Sequence, residues 1–149
     1  MTLFQLAFVA AVANPLAALL PAASSAPVAT SSVTVVVSRL ASKQSAVKVY
    51  FYNVRESFLK PQQYAFFKVV RPDGQDRIAL PVQLPHGEWA VAITQDVNNN
   101  DKLDKNFMGI PTEPYAFSNN VRPKLAPPQF DECKFRVSGQ ELVVAIQLK

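Results

Sequence analysis

The sequence predicts an all-β, single-domain β-sandwich of about seven strands. Three observations carry this reading. Short apolar segments of period two recur along residues 33–148, no part of that region holds a long helical period, and turn residues separate the segments at spacings of roughly 8–15 positions. A small closed barrel is the competing architecture, because it is assembled from the same short strands.

Residues 1–26 contain no Asp, Glu, Lys or Arg, and the run Leu3–Leu20 is broken only by Gln5, Asn14 and Pro15 before "PAASSA". This pattern predicts a signal peptide over 1–26. Asn14-Pro15 and the downstream alanines fit poorly with a permanent membrane span. No Lys or Arg precedes the apolar core, so an uncleaved anchor or a misassigned start is the alternative. The expected localisation is secreted or periplasmic, with no membrane span after cleavage. "PVATSS", residues 27–32, is expected as a flexible lead-in, and residues 33–149 as one domain.

All 15 Lys+Arg and all 11 Asp+Glu lie beyond residue 26, giving a net charge of +4. The basic residues are scattered singly from Arg39 to Lys149, a distribution that serves solubility and argues against nucleic acid as a partner. The single cysteine, Cys133, excludes an internal disulfide and a multi-cysteine zinc site. It is expected as a small buried hydrophobe.

The first strand is expected over Ser32–Leu40, with Val33, Val35 and Val37 on one face. The second, Ala46–Asn53, sets Val47, Val49 and Phe51 against Lys48, Tyr50 and Tyr52. The short polar link "ASKQS" between them suits an antiparallel hairpin. "VRESFLKPQQ" predicts a helical turn over Arg55–Lys60, ended by Pro61. Tyr64–Val70 reads as a strand and "RPDGQD" as a turn, with Pro72 at its first corner and Gly74 at positive φ. Arg77–Leu84 carries Pro81 in its middle, which removes a ladder donor and places the segment at a sheet edge or bulge. Glu88–Gln95 follows, with Trp89, Val91 and Ile93 on one face and Trp89 as a core anchor. Lys134–Val137 and Glu141–Leu148, joined by Ser-Gly-Gln, are expected as a C-terminal hairpin.

Residues 96–133 form the long loop, containing no secure strand and the prolines Pro111, Pro114, Pro123, Pro127 and Pro128. Connections of that length are usually functional. With Asp96 as position 1 of a calcium loop, Asn98 is position 3, Asn100 position 5, the Lys102 carbonyl position 7 and Asp104 position 9, matching the first part of the EF-hand pattern. Leu103 would point back into the protein. Position 6 is Asp101 instead of glycine and position 12 is Phe107 instead of glutamate, so the missing carboxylate is assigned to Glu113 on the rigid "GIPTEP" segment. The expected cofactor is calcium, bound weakly at about 10⁻⁴–10⁻³ M. The competing reading is a metal-free string of Asx turns.

The run D-x-N-x-N-x-x-L-D followed by G-I-P-x-E-x-Y-x-F-S-N, with the upstream "VYFYNVRESFL", resembles a group of small exported bacterial proteins, domain-of-unknown-function family twenty-one forty-one. The resemblance covers about Val33–Lys149. It implies a transthyretin-like or immunoglobulin-like sandwich and supplies no established activity. The family usually has glycine where this chain has Asp101 and Ala116, so the resemblance implies altered loop geometry at both positions.

In the extended "YAFSNN", Tyr115 and Phe117 share a face. With Ser118 and Asn119 they form a candidate ligand surface for a sugar ring or peptide, or else an apolar plug for the open end of a sandwich. The sole histidine, His86, lies in a Pro-His-Gly turn and is expected to face solvent. With four glycines there is no phosphate-binding loop, and the adjacent Asp131 and Glu132 point to opposite faces. The sequence therefore predicts a non-catalytic exported domain that binds an unknown protein partner or envelope component. A carbohydrate-binding module is the alternative, and a metal-assisted hydrolase using Glu113 or Asp101 as base ranks last.

Overall fold

The computed structural model describes residues 27–124 and 126–149; the expected signal peptide lies outside them. Among the described residues there are eight strands: β1 (Thr30–Ser38), β2 (Val47–Tyr52), β3 (Phe66–Val70), β4 (Arg77–Pro85), β5 (Gly87–Gln95), β6 (Tyr115–Phe117), β7 (Phe135–Val137) and β8 (Leu142–Gln147). They form a three-stranded sheet, β4-β1-β8, and a five-stranded sheet, β3-β2-β5, whose far edge carries β6 and β7. No strand pairing joins the two sheets among the described residues, so the all-β chain is a sandwich and not a barrel. Nor is any helix there long and apolar enough to cross a membrane.

Period-two patterning places the core. Val33, Val35 and Val37 of β1, Val47, Val49 and Phe51 of β2, Val91 and Ile93 of β5 and Ile146 of β8 are fully or almost fully buried between the sheets. Trp89 anchors this layer as expected, and its indole N–H donates to the Pro85 carbonyl at 2.9 Å. Full burial of such side chains contributes roughly 1.5–3 kcal/mol each.

A second apolar layer covers the outer face of the five-stranded sheet. Tyr52, Ala90, Ala92, Phe117, Phe130 and Cys133 are buried there, with Phe58 packed against them. The alanines leave room for the rings: Phe58 meets Tyr52, Phe117 and Phe130 edge-on at centroid distances of 5.2, 6.5 and 5.8 Å. Burial pushes the Cys133 thiol up to about 12 and the Tyr52 phenol up to about 12.

Several local expectations change. β1 and β2 are not a hairpin, because the link between them crosses from one sheet to the other. The buried Gln95 side chain organises that crossing, accepting the Ala41 N–H at 2.8 Å and donating to the Ser42 carbonyl at 2.6 Å. β7 and β8 are not a hairpin either: β7 pairs antiparallel with β5 and β8 parallel with β1, which lets Val137 and Ile146 reach the same core from different sheets. β1 begins at Thr30, paired with Pro85, so part of the expected lead-in is strand. The helical turn is a shorter 3₁₀ turn over Arg55–Ser57. Pro72 precedes the first corner of its turn: its carbonyl accepts the Gln75 N–H, and Asp73 (φ 49°) and Gly74 (φ 86°) are the corner residues. Pro81 lies on the edge strand β4, as its missing donor requires.

Candidate functional site

The long loop has more structure than its composition announces. β6 and one helical turn, Phe130–Cys133, lie within 96–133. Between β5 and β6 the chain makes a polar coil over 96–101 and then a narrow ribbon over 104–112. The Thr112 N–H donates to the Asp104 carbonyl, Lys105 bridges Pro111, and the Asn106 N–H donates to the Ile110 carbonyl. Asn106 closes the end. Its side-chain oxygen accepts the Met108 and Ile110 N–H groups at 3.0 Å each, and Gly109, at φ 78°, donates to its carbonyl.

Two buried carboxylates fix the base. Asp96 accepts the N–H groups of Asn100 (3.1 Å) and Asp101 (2.8 Å), and Glu113 accepts those of Val97 (3.1 Å) and Asp104 (3.4 Å). Hydrogen bonds to charged acceptors are the stronger kind, at roughly 1.5–3 kcal/mol each. Lys48, outward-facing on β2, adds a third tie: its Nζ lies 3.0 Å from Asp101 Oδ1 and 3.6 Å from Asp96 Oδ2. Burial pulls its ammonium down, but the Asp101 hydrogen bond and the neighbouring charges leave it above its ordinary value.

Of the expected ligand residues, Asn98, Asn100 and Asp104 come together. Asp104 accepts from the Asn98 amide at 2.5 Å and from the Asn100 amide at 3.0 and 2.9 Å. Asn98 and Asn100 each also accept a backbone N–H two residues on, the geometry of Asx turns. Lys102 is exposed and supplies one of those N–H groups. Asp96 and Glu113 spend their oxygens on the backbone instead, and no three His, Cys, Asp or Glu side chains among the described residues are grouped to hold a metal ion. Leu103 does not anchor the loop: it is 38% exposed and packs against neither apolar layer.

At the tip, Phe107 is 97% exposed, Met108 67% and Ile110 48%. Exposed apolar side chains clustered on one projection mark interaction sites more often than scattered ones do.

The profile of a family described as an uncharacterized protein conserved in bacteria (DUF2141) matches residues 35–145. The chain belongs to this family. No curated protein and no solved structure matches it. In this DUF2141 chain Asp101 takes φ 63°, so a residue other than glycine occupies a left-handed position there, whereas Ala116 lies within β6 and packs into the core.

The second candidate surface of the DUF2141 chain is largely taken up by packing. Tyr115 and Phe117 share a face, with ring centroids 5.8 Å apart, but that face joins the outer apolar layer and not the open end of the sandwich. Phe117 is buried and Tyr115 half-buried. Ser118 is fully buried, donating to the Cys133 carbonyl and accepting the Val91 N–H. Asn119 is exposed, yet its amide donates to the Glu132 and Lys134 carbonyls.

Sequence reasoning missed Lys48, Gln95 and Asn106. Gln95 at an inward strand position was a legible signal, since a polar side chain facing a core needs partners. Asn106 was legible through the Asn-x-x-Gly spacing of a turn.

Proposed function

We propose that this chain is an exported, non-catalytic binding domain that presents the tip of its 104–112 ribbon to a protein partner or envelope component, with calcium as a weak ligand of the coil beneath. The observation that carries the reading is the contrast within one loop: its base is held by two buried carboxylates while Phe107, its largest apolar side chain, meets almost nothing. A projection whose backbone is ordered in advance loses little entropy when it docks.

Calcium fits as a stiffener of the coil. Asn98, Asn100 and Asp104 are already neighbours, and calcium would enter by turning the two amides over, so that their oxygens leave the backbone N–H groups of Asn100 and Lys102 and join the Asp104 carboxylate on the ion. The affinity expected of so few carboxylates is about 10⁻⁴–10⁻³ M.

Non-catalytic character rests on how the reactive side chains are used. His86 Nε2 lies 2.9 Å from Ser31 Oγ, but that hydroxyl is buried and accepts the Gly139 N–H at 3.0 Å. Asp131 pairs with Arg55 and Lys134, and Glu132 accepts the Gln129 N–H at 2.7 Å.

The experiment is site-specific photocrosslinking in exporting cells, with a photoreactive side chain at position 107 and, as control, at Val143 on β8, which is also exposed, at 67%. A discrete adduct from position 107 alone is expected. Identical products from both positions, or none from 107, would contradict the reading. A glycan array run beside it decides the carbohydrate alternative.

A further inference from the structure

The free strand edges of the sandwich are not treated alike. β4 carries Pro81 at its middle, which spoils a ladder. Along β8, the Asn120 side chain donates to the Ala145 carbonyl and accepts the Gln147 N–H, and Arg122 donates to the Gln147 carbonyl. These contacts imitate a neighbouring strand. β6 and β7 have three residues each and share the far edge of β5. β3 is different: it pairs with β2 alone, and no proline or side-chain clamp occupies its outer side among the described residues.

The hydrogen-bond phase of that edge follows from its neighbours. The Phe51 carbonyl accepts the Ala65 N–H, whereas the Ala46 carbonyl accepts the Asp96 N–H on the β5 side. Odd-numbered groups of β2 therefore address β3. In the register Val49–Lys68 and Phe51–Phe66, this directs the N–H and C=O groups of Phe66, Lys68 and Val70 toward β2. Those of Phe67 and Val69 face outward. Their side chains are also exposed, at 44% and 53%, on the outer face of the sheet.

Lys68 is the odd residue. It lies opposite the buried Val49, so it belongs to the core-facing side of β3, yet it is exposed. It opens onto a trough of about 440 Å³ between the edges of β3 and β4, lined by Phe66, Phe67, Lys68, Pro81, Val82 and Gln83. Lys68 is the one charged side chain in that lining. An inward-facing lysine is a known guard of strand edges against indiscriminate pairing. Two copies of β3, joined in the antiparallel register that uses every free group, would pair Phe67 with Val69 and set Lys68 against Lys68. Like charges directly opposite are destabilising.

We propose that β3 is a strand-addition site for an extended segment of another polypeptide, one carrying an acidic residue where its side chain meets Lys68. Phe67 and Val69 supply the main-chain hydrogen bonds, the partner's outward side chains pack on theirs, and the acidic side chain enters the trough. The lysine that disfavours a second copy thereby selects the partner's charge. This site is distinct from the 104–112 tip, and its test leaves the tip untouched.

The test uses the exported chain labelled for backbone NMR and three capped heptapeptides of alternating threonine and valine, with glutamate, glutamine or lysine at the centre. Shifted and slowed amide signals are expected at Phe67 and Val69, with the glutamate peptide roughly tenfold tighter than the lysine peptide. Lys68→Glu should invert that order. Val69→Pro should abolish binding while keeping the fold, since its lost N–H faces the open edge. Equal affinity for all three peptides, signals moving elsewhere, no response at millimolar peptide, or self-association through β3 would each overturn the proposal.

Discussion

The Glu113 carboxylate accepts the Val97 amide hydrogen at 3.1 Å, fastening the residue that leaves Asp96 to the segment that leads into β6. Its other oxygen takes the Asp104 N–H. One side chain therefore closes both the coil and the ribbon. Glu113→Ala is expected to cost about 1–3 kcal/mol, read as a lowered urea midpoint, and to speed hydrogen exchange at Val97 and Asp104. Glu113→Gln, which keeps one acceptor oxygen, should fall between the two.

Asp96→Ala removes the acceptor of two backbone N–H groups and a neighbour of Lys48. A similar loss of about 1–3 kcal/mol is expected in urea unfolding. Asn100 and Asp101 should become the fastest-exchanging amides of the coil.

Phe107→Ser changes a side chain that contributes little to packing. Its stability, from thermal unfolding, should stay within about 0.5 kcal/mol of the parent. Its adducts in the crosslinking experiment, probed from position 108, should disappear.

Stability should fall at alkaline pH, with a sign fixed by burial. Cys133 rises from 9.0 to about 12 and Tyr52 from 10.0 to about 12 in the folded chain. Each group keeps its proton when folded and loses it earlier when unfolded. Their contribution is complete below the unfolded values and is lost progressively as pH rises from about 9 to about 12. Urea midpoints across that window should decline, and a Cys133→Ala, Tyr52→Phe double variant should decline less. At neutral pH a thiol reagent should label Cys133 only as the protein unfolds.

The legible part of this molecule is the part with a period. Alternation of Val33, Val35 and Val37, or of Val47, Val49 and Phe51, has one physical outcome: burial of that face. Pro81 at an edge follows from a missing donor. Sheet membership did not follow, because the links 39–46 and 138–141 are short enough for hairpins, and crossing is decided by partners remote in sequence such as Gln95. β6 escaped because three residues cannot display a period, although the shared face of Tyr115 and Phe117 was visible. In the loop, residue types pointed to Asn98, Asn100 and Asp104 as neighbours, but the two amides meet Asp104 through nitrogen and give their oxygens to backbone N–H groups. The backbone's own demand for acceptors, which occupies Asp96 and Glu113, has no signature in spacing.

Asn120→Ala should expose the β8 edge, since Ala145 and Gln147 lose their side-chain partner. A loss of about 1 kcal/mol is expected by denaturant unfolding. Light scattering at high protein concentration should show more aggregation than the parent does.

Whether the loop is ordered in advance and stiffened by calcium is decided by hydrogen exchange across residues 97–112, with and without about 10 mM calcium, roughly ten times the weakest expected dissociation constant. Protected amides are expected at Asn100, Asp101, Asp104 and Thr112 without the ion, and stronger protection with it. Unprotected rates in both conditions, or protection indifferent to calcium, would contradict this reading.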